Sequence, residues 1–112
     1  MPLKNDVTLA VSDNTSMNAY VSRPEGDGPF PGMILFQEAF GVNHHIRSVA
    51  DRMAKEWQYV VIAPELFHRT APGLQAGYDD YPSIAPHMEA LTIEGLEADA
   101  RAAYNFQQVN LV

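Results

Sequence analysis

GMILFQEAFGVNHHIRSVADRMAKEWQYVVIAP, Gly32–Pro64, changes periodicity twice. Gly32–Gln37 is a continuous apolar run, which suits a strand covered on both faces, as in a parallel sheet. Ile46, Val49, Ala50, Met53, Ala54 and Trp57 then recur at helical spacing. Arg47, Asp51, Arg52, Lys55 and Glu56 fall mostly on the opposite side. Asn43 stands where a helix N-cap belongs. Tyr59–Pro64 is a second continuous apolar run. Strand, helix, strand with short joints is a βαβ unit, and it sets the class as α/β.

Upstream, DVTLAVSDNTSMNAYVSRP reads as an antiparallel hairpin. Val7, Leu9 and Val11 alternate with polar or small residues, and Met17, Ala19 and Val21 repeat the pattern. Asp13-Asn14-Thr15-Ser16 supplies turn chemistry. RPEGDGPFPG gathers proline and glycine into a loop. Downstream, Pro72, Gly73, Gly77, Pro82 and Pro86 predict an irregular segment from Glu65 to His87, and long loops of this kind are usually functional or mobile. A helix is expected from Glu89, with Ile93, Leu96, Ala100, Ala103 and Tyr104 on one side and Gly95 weakening its first turn. The closing VNLV resembles the start of another strand.

The 112 residues suffice for one domain, residues 1–112, and the 46% hydrophobic content argues against a disordered chain. A net charge of −7, with no Lys/Arg cluster, argues against nucleic acid or an anionic membrane as partner. No apolar run approaches the ~20 residues of a membrane span. The N-terminus lacks the apolar core of a signal peptide, so a cytoplasmic protein is expected. There is no cysteine, which removes disulfides, zinc–thiolate sites and a cysteine nucleophile within this sequence.

Glu38 follows the apolar strand directly. In open α/β sheets, ligands bind outside the carboxyl ends of the strands, where Glu38 would stand. Residue chemistry alone leaves two readings open: a site carboxylate, or a solvated loop residue that caps a backbone amide. His44 and His45 are adjacent, so on a helix they point about 100° apart and share no metal face. His68 and His87 lie in the irregular segment without a spaced partner. Asp79 and Asp80 form one acidic pair, more consistent with a solvated turn than with a cation site. Neither metal nor cofactor is expected. No serine has the Gly-x-Ser-x-Gly setting of a sheet hydrolase, so Ser12, Ser16, Ser22, Ser48 and Ser83 are not expected to act as nucleophile.

Ala19–Gly73 resembles the N-terminal half of the dienelactone hydrolase family, carboxymethylenebutenolidase-like enzymes of α/β-hydrolase fold. The resemblance rests on the Pro-Gly before the strand, the QE-x-FGVN turn, the IR-x-VADR helix and the APELFHR strand end, where the family more often has Asp than Glu65. It implies a small-molecule ester or lactone as substrate. It implies that nucleophile, acid and histidine lie in the second half of the family domain, beyond this sequence. By the same resemblance, Glu38 matches the carboxylate that contacts the nucleophile, and the Ala39 backbone N–H matches an oxyanion-hole donor. No arginine stands between Arg69 and Arg101 to hold a substrate carboxylate, although Tyr78 or Tyr81 falls near that place. The expected substrate is therefore an ester or lactone other than dienelactone. The 112 residues alone are expected to be inactive. The alternative is a non-catalytic truncated α/β module: a strand edge left unpaired at Gly32–Gln37 is expected to invite another copy of the chain, giving a homo-oligomer.

Overall fold

A computed structural model of the chain describes residues 3–110, with side chains from 3 to 108. β1 (Leu3–Ala10) and β2 (Ser16–Arg23) form the expected hairpin, in register from Leu3 opposite Arg23 to Ala10 opposite Ser16. The Asp13 carboxylate accepts from the Thr15 N–H (3.2 Å) and hydroxyl (2.5 Å), and Asn14 takes the left-handed conformation the tight turn needs. β3 (Gly32–Ile34), α1 (His44–Trp57) and β4 (Val60–Pro64) form the βαβ unit, with β3 and β4 parallel. β4 also pairs antiparallel with β2, so the mixed sheet runs β1-β2-β4-β3.

Strand alternation divides the core. Val61 and Ala63 point to one face and pack with Tyr20, Val42, Ile46 and Ala50 beneath α1. Ile62 points to the other face and packs with Leu9, Val11, Met17, Ala19 and Ala103 beneath α3 (Ile93–Asn110). The result is a three-layer α/β/α arrangement. Asn43 caps α1 as expected, its side chain accepting from the Ile46 N–H at 3.1 Å. Among the described residues, no helix is long and apolar enough to cross a membrane.

The first strand of the unit is shorter than the apolar run predicts. Val60 N–H donates to the Pro31 carbonyl and Leu35 N–H to the Ile62 carbonyl, both at 2.9 Å. The next donor in this series would be residue 64, and Pro64 has no N–H to give. The ladder stops, and Phe36 and Gln37 leave the sheet. Nor is the strand covered on both sides. Met33, Ile34 and Leu35 are half-buried, and Phe36 is 50% exposed.

Four further expectations are corrected. Trp57 is 63% exposed, because α1 ends beside it at the left-handed Gln58, and burial is carried by Ile46, Ala50 and Ala54. The irregular segment contains a helix, α2 (Tyr81–Glu89). Pro82 sits in the first turn, where N–H groups lack partners anyway, whereas Pro86 lies inside the helix and removes the bond an N–H there would give to the Pro82 carbonyl. Buried Ile84 holds α2 in place. The next helix begins at Ile93 rather than Glu89, with Thr92 Oγ1 accepting from the Gly95 N–H at 3.0 Å. Ile93 and Tyr104 face outward, and buried Asp99 and Gln107 flank Ala103 on the inner side. Of VNLV, Val109 and Asn110 end α3, while Leu111 and Val112 lie outside the described residues.

Candidate active site

The turn after β3 is fixed from three directions. Gln37 Oε1 accepts from the Leu66 N–H (2.8 Å) in the segment after β4, and Gln37 Nε2 donates to the Glu38 carbonyl (3.0 Å). Gly41 N–H donates to the same carbonyl at 3.3 Å. Gly41 has φ +88 and lies so close to the neighbouring segment that a Cβ would collide with the Leu74 carbonyl. It also bridges to Gln75, while Ala76 N–H donates to the Phe40 carbonyl at 3.1 Å. The segments after β3 and β4 are thus laced together by backbone and one amide side chain.

Glu38 lies at the sheet's carboxyl end, as its sequence position predicts. Its side chain is exposed and has no hydrogen-bond or ion-pair partner among the described residues. The Ala39 N–H likewise has no acceptor among the described residues. The backbone of this turn is held in place, while one backbone donor and one exposed carboxylate are left uncommitted. Phe40 packs edge-on against Tyr78 (centroids 4.6 Å apart, planes at 83°), and Asn43 Nδ2 lies 3.4 Å from the Tyr78 hydroxyl. Tyr78, rather than Tyr81, is thereby drawn to the turn. Beside it, Asn43, His44, His45, Gln75, Ala76 and Tyr78 line an open concavity of about 410 Å³.

A charged cluster anchors the segment after β4. Arg69 makes two hydrogen bonds to Asp99 (3.1 and 2.8 Å) and a third to Asp13 (2.7 Å). The His68 ring bonds Thr15 Oγ1 at 2.9 Å and the Glu65 carbonyl at 3.0 Å, and lies 3.8 Å from the Asp99 carboxylate. Hydrogen bonds from Thr15 and then Arg69 lower the Asp13 carboxyl to about 2, and the bonds to Asp99 raise Arg69 further. Gly95 leaves room for this arginine, since a Cβ there would press on its guanidinium. The Glu65 carboxylate accepts from the Gly73 N–H at 2.9 Å and closes the turn. His87 bonds Thr70 at 2.8 Å and ties α2 to the same segment.

His68 therefore has partners, but they come from the hairpin turn and α3, far away in sequence. Sequence reasoning missed Gln37, Thr15 and Asp99. Asp99 left a trace, as a carboxylate on the helix face carrying Leu96 and Ala103. Asp79 and Asp80 lie in an exposed turn, and Ser83 belongs to α2 rather than to a loop. Ser22 commits its hydroxyl to Asp51 at 2.9 Å. Tyr20 donates to the same carboxylate at 2.7 Å, and burial first, then this bond, pushes its phenol well above the usual range. Among the described residues, no three His, Asp or Glu side chains gather as a metal site would require.

The model of the dienelactone hydrolase family matches residues 17–110. The chain belongs to this family. A carboxymethylenebutenolidase-like protein of Escherichia coli K12 is 49% identical over 78 residues, 69% of this chain and 28% of that protein. One from Synechocystis is 42% identical over 76 residues, 68% of this chain and 30% of that protein. The chain thus spans under a third of these curated dienelactone hydrolase relatives. A dienelactone hydrolase-like crystal structure from Klebsiella pneumoniae superimposes with a TM-score of 0.84 at 28% identity, covering 98% of this chain and 45% of that one. The α/β architecture is that of the dienelactone hydrolases.

Proposed function

We propose that this chain is the N-terminal part of a carboxylic ester or lactone hydrolase that works through a covalent acyl intermediate. The observation that carries the proposal is the turn after β3, which holds an unpaired backbone N–H and an unpaired carboxylate at the sheet's carboxyl end. A nucleophile supplied from outside these residues attacks the substrate carbonyl, and the Ala39 N–H donates to the oxyanion that forms. The oxyanion collapses, the C–O bond to the leaving alkoxide breaks, and water hydrolyses the acyl intermediate. One preorganised donor of this kind contributes roughly 3–4 kcal/mol of transition-state stabilisation. Glu38 contacts the resting nucleophile and governs its activation. The setting is the cytoplasm.

The test fuses this chain to the remainder of the Escherichia coli relative and assays an activated aryl ester. The fusion is expected to show an acyl burst and turnover, and the 112 residues alone neither. Glu38→Gln in the fusion is expected to lower kcat/KM and to change nucleophile reactivity. Turnover by the isolated chain, lost on replacing one of its serines, would overturn the reading.

A second reading is favoured by the sheet's open side. The bonds from β3 to β4 use residues 31, 33 and 35, so the backbone of Gly32 and Ile34 faces outward near the exposed Phe36 ring. Another copy of the chain would pair there. Sedimentation is expected to show association that rises with concentration and falls in Phe36→Lys. A monomer at all concentrations removes this reading.

A further inference from the structure

We infer that Gln37 is the positioning residue that aims the Ala39 N–H. The inference rests on the reading of that N–H as an oxyanion donor. A trans peptide unit is planar, so its C=O and N–H point in opposite directions. The Glu38–Ala39 bond is trans, since among the described residues only Gly28–Pro29 is cis. Whatever fixes the Glu38 carbonyl therefore fixes the Ala39 N–H on the far side.

Two donors fix that carbonyl: Gln37 Nε2 at 3.0 Å and Gly41 N–H at 3.3 Å. The Gln37 bond is the shorter. It is also oriented from outside the turn, because Oε1 of the same amide accepts from the Leu66 N–H at 2.8 Å. Only the oxygen can accept there, so the nitrogen must face the Glu38 carbonyl. The position of Leu66 is thus transmitted through one side-chain amide to the direction of the Ala39 N–H. A donor with no acceptor of its own would otherwise be free to rock. Here its plane is held from behind and its front is left open.

The two ends of the Gln37 amide can be tested separately by NMR on the 112-residue chain. In Gln37→Glu, the remaining oxygens still accept from Leu66 but cannot donate to Glu38. In Gln37→Met, both bonds go without adding charge. The wild-type Ala39 N–H is expected to have an order parameter near ~0.85, typical of rigid backbone, although it lacks an acceptor. In both variants it is expected to fall below ~0.6, with altered residual dipolar couplings. Slow exchange of the Leu66 amide is expected to persist in the glutamate variant and to be lost in the methionine variant. Unchanged Ala39 order and couplings in the glutamate variant, with the β4 amides intact, would overturn the inference and leave the hydrolase reading standing. A fusion without esterase activity would remove the hydrolase reading and leave the aimed N–H as a measured fact.

Discussion

β4 has a strand on each side, and β3 has one. Every residue of β4 is buried, and the segment after it is tied down by charge, with Arg69 between Asp13 and Asp99 and His68 beneath. β3 is half-buried, and the turn after it is held by neutral groups, a glycine fold and the Gln37 amide. The charged side spends its polar groups on one another. The neutral side leaves Glu38 and the Ala39 N–H unspent. Rigidity and availability are thus divided between adjacent strand ends, with the first bracing the second.

If β4 is the brace, breaking its anchor should have the largest effect. Arg69→Ala leaves the buried Asp99 carboxylate without its bidentate partner, which typically costs about 3–5 kcal/mol. Because Arg69 is partly exposed, a loss near ~3 kcal/mol in urea denaturation is expected. A loss under ~1 kcal/mol, as for a surface ion pair, would break the comparison.

Gly41→Ala attacks the other side. A side chain at positive φ costs about 1–2 kcal/mol, and the Leu74 carbonyl must also yield. The expected loss is roughly 2–3 kcal/mol. Faster amide exchange should be confined to residues 38–41 and 74–76. Equal loosening of β4 would show that the two strand ends are one mechanical unit.

Asp13→Asn should have the smallest effect, a deficit present at neutral pH that closes in acid. The folded carboxyl lies at about 2 against an ordinary 3.8, so its contribution to stability is present above the ordinary value and is lost as the pH falls through about 2. Between about pH 4 and 2 the wild-type transition should fall more steeply than that of the variant. Parallel acid limbs would show that the hairpin turn lies outside the brace.

Local rules account for the parts that sequence reveals. The hairpin follows from alternation and turn chemistry, α1 from its apolar stripe and Asn43, and the place of Glu38 from the end of an apolar run. What stayed hidden depends on distant partners. α2 is masked by its prolines, of which Pro82 sits where a helix tolerates it and Pro86 lies in the interior. The inner face of α3 carries Asp99 and Gln107, which look exposed until Arg69 and the carbonyls of Met33 and Val60 meet them. Gln37 reads as the last residue of a strand, because its partner Leu66 lies 29 residues further on.

Pro64 sets where the site begins. Two parallel strands zip together one amide hydrogen at a time, and the zip halts at the residue that has none. Beyond it the Gln37 side chain takes over as a longer rung, joining the chains while spreading them apart. Any other residue at 64 would carry the N–H for one more backbone rung on the side of Glu38. The opening in this molecule thus starts at a single missing hydrogen.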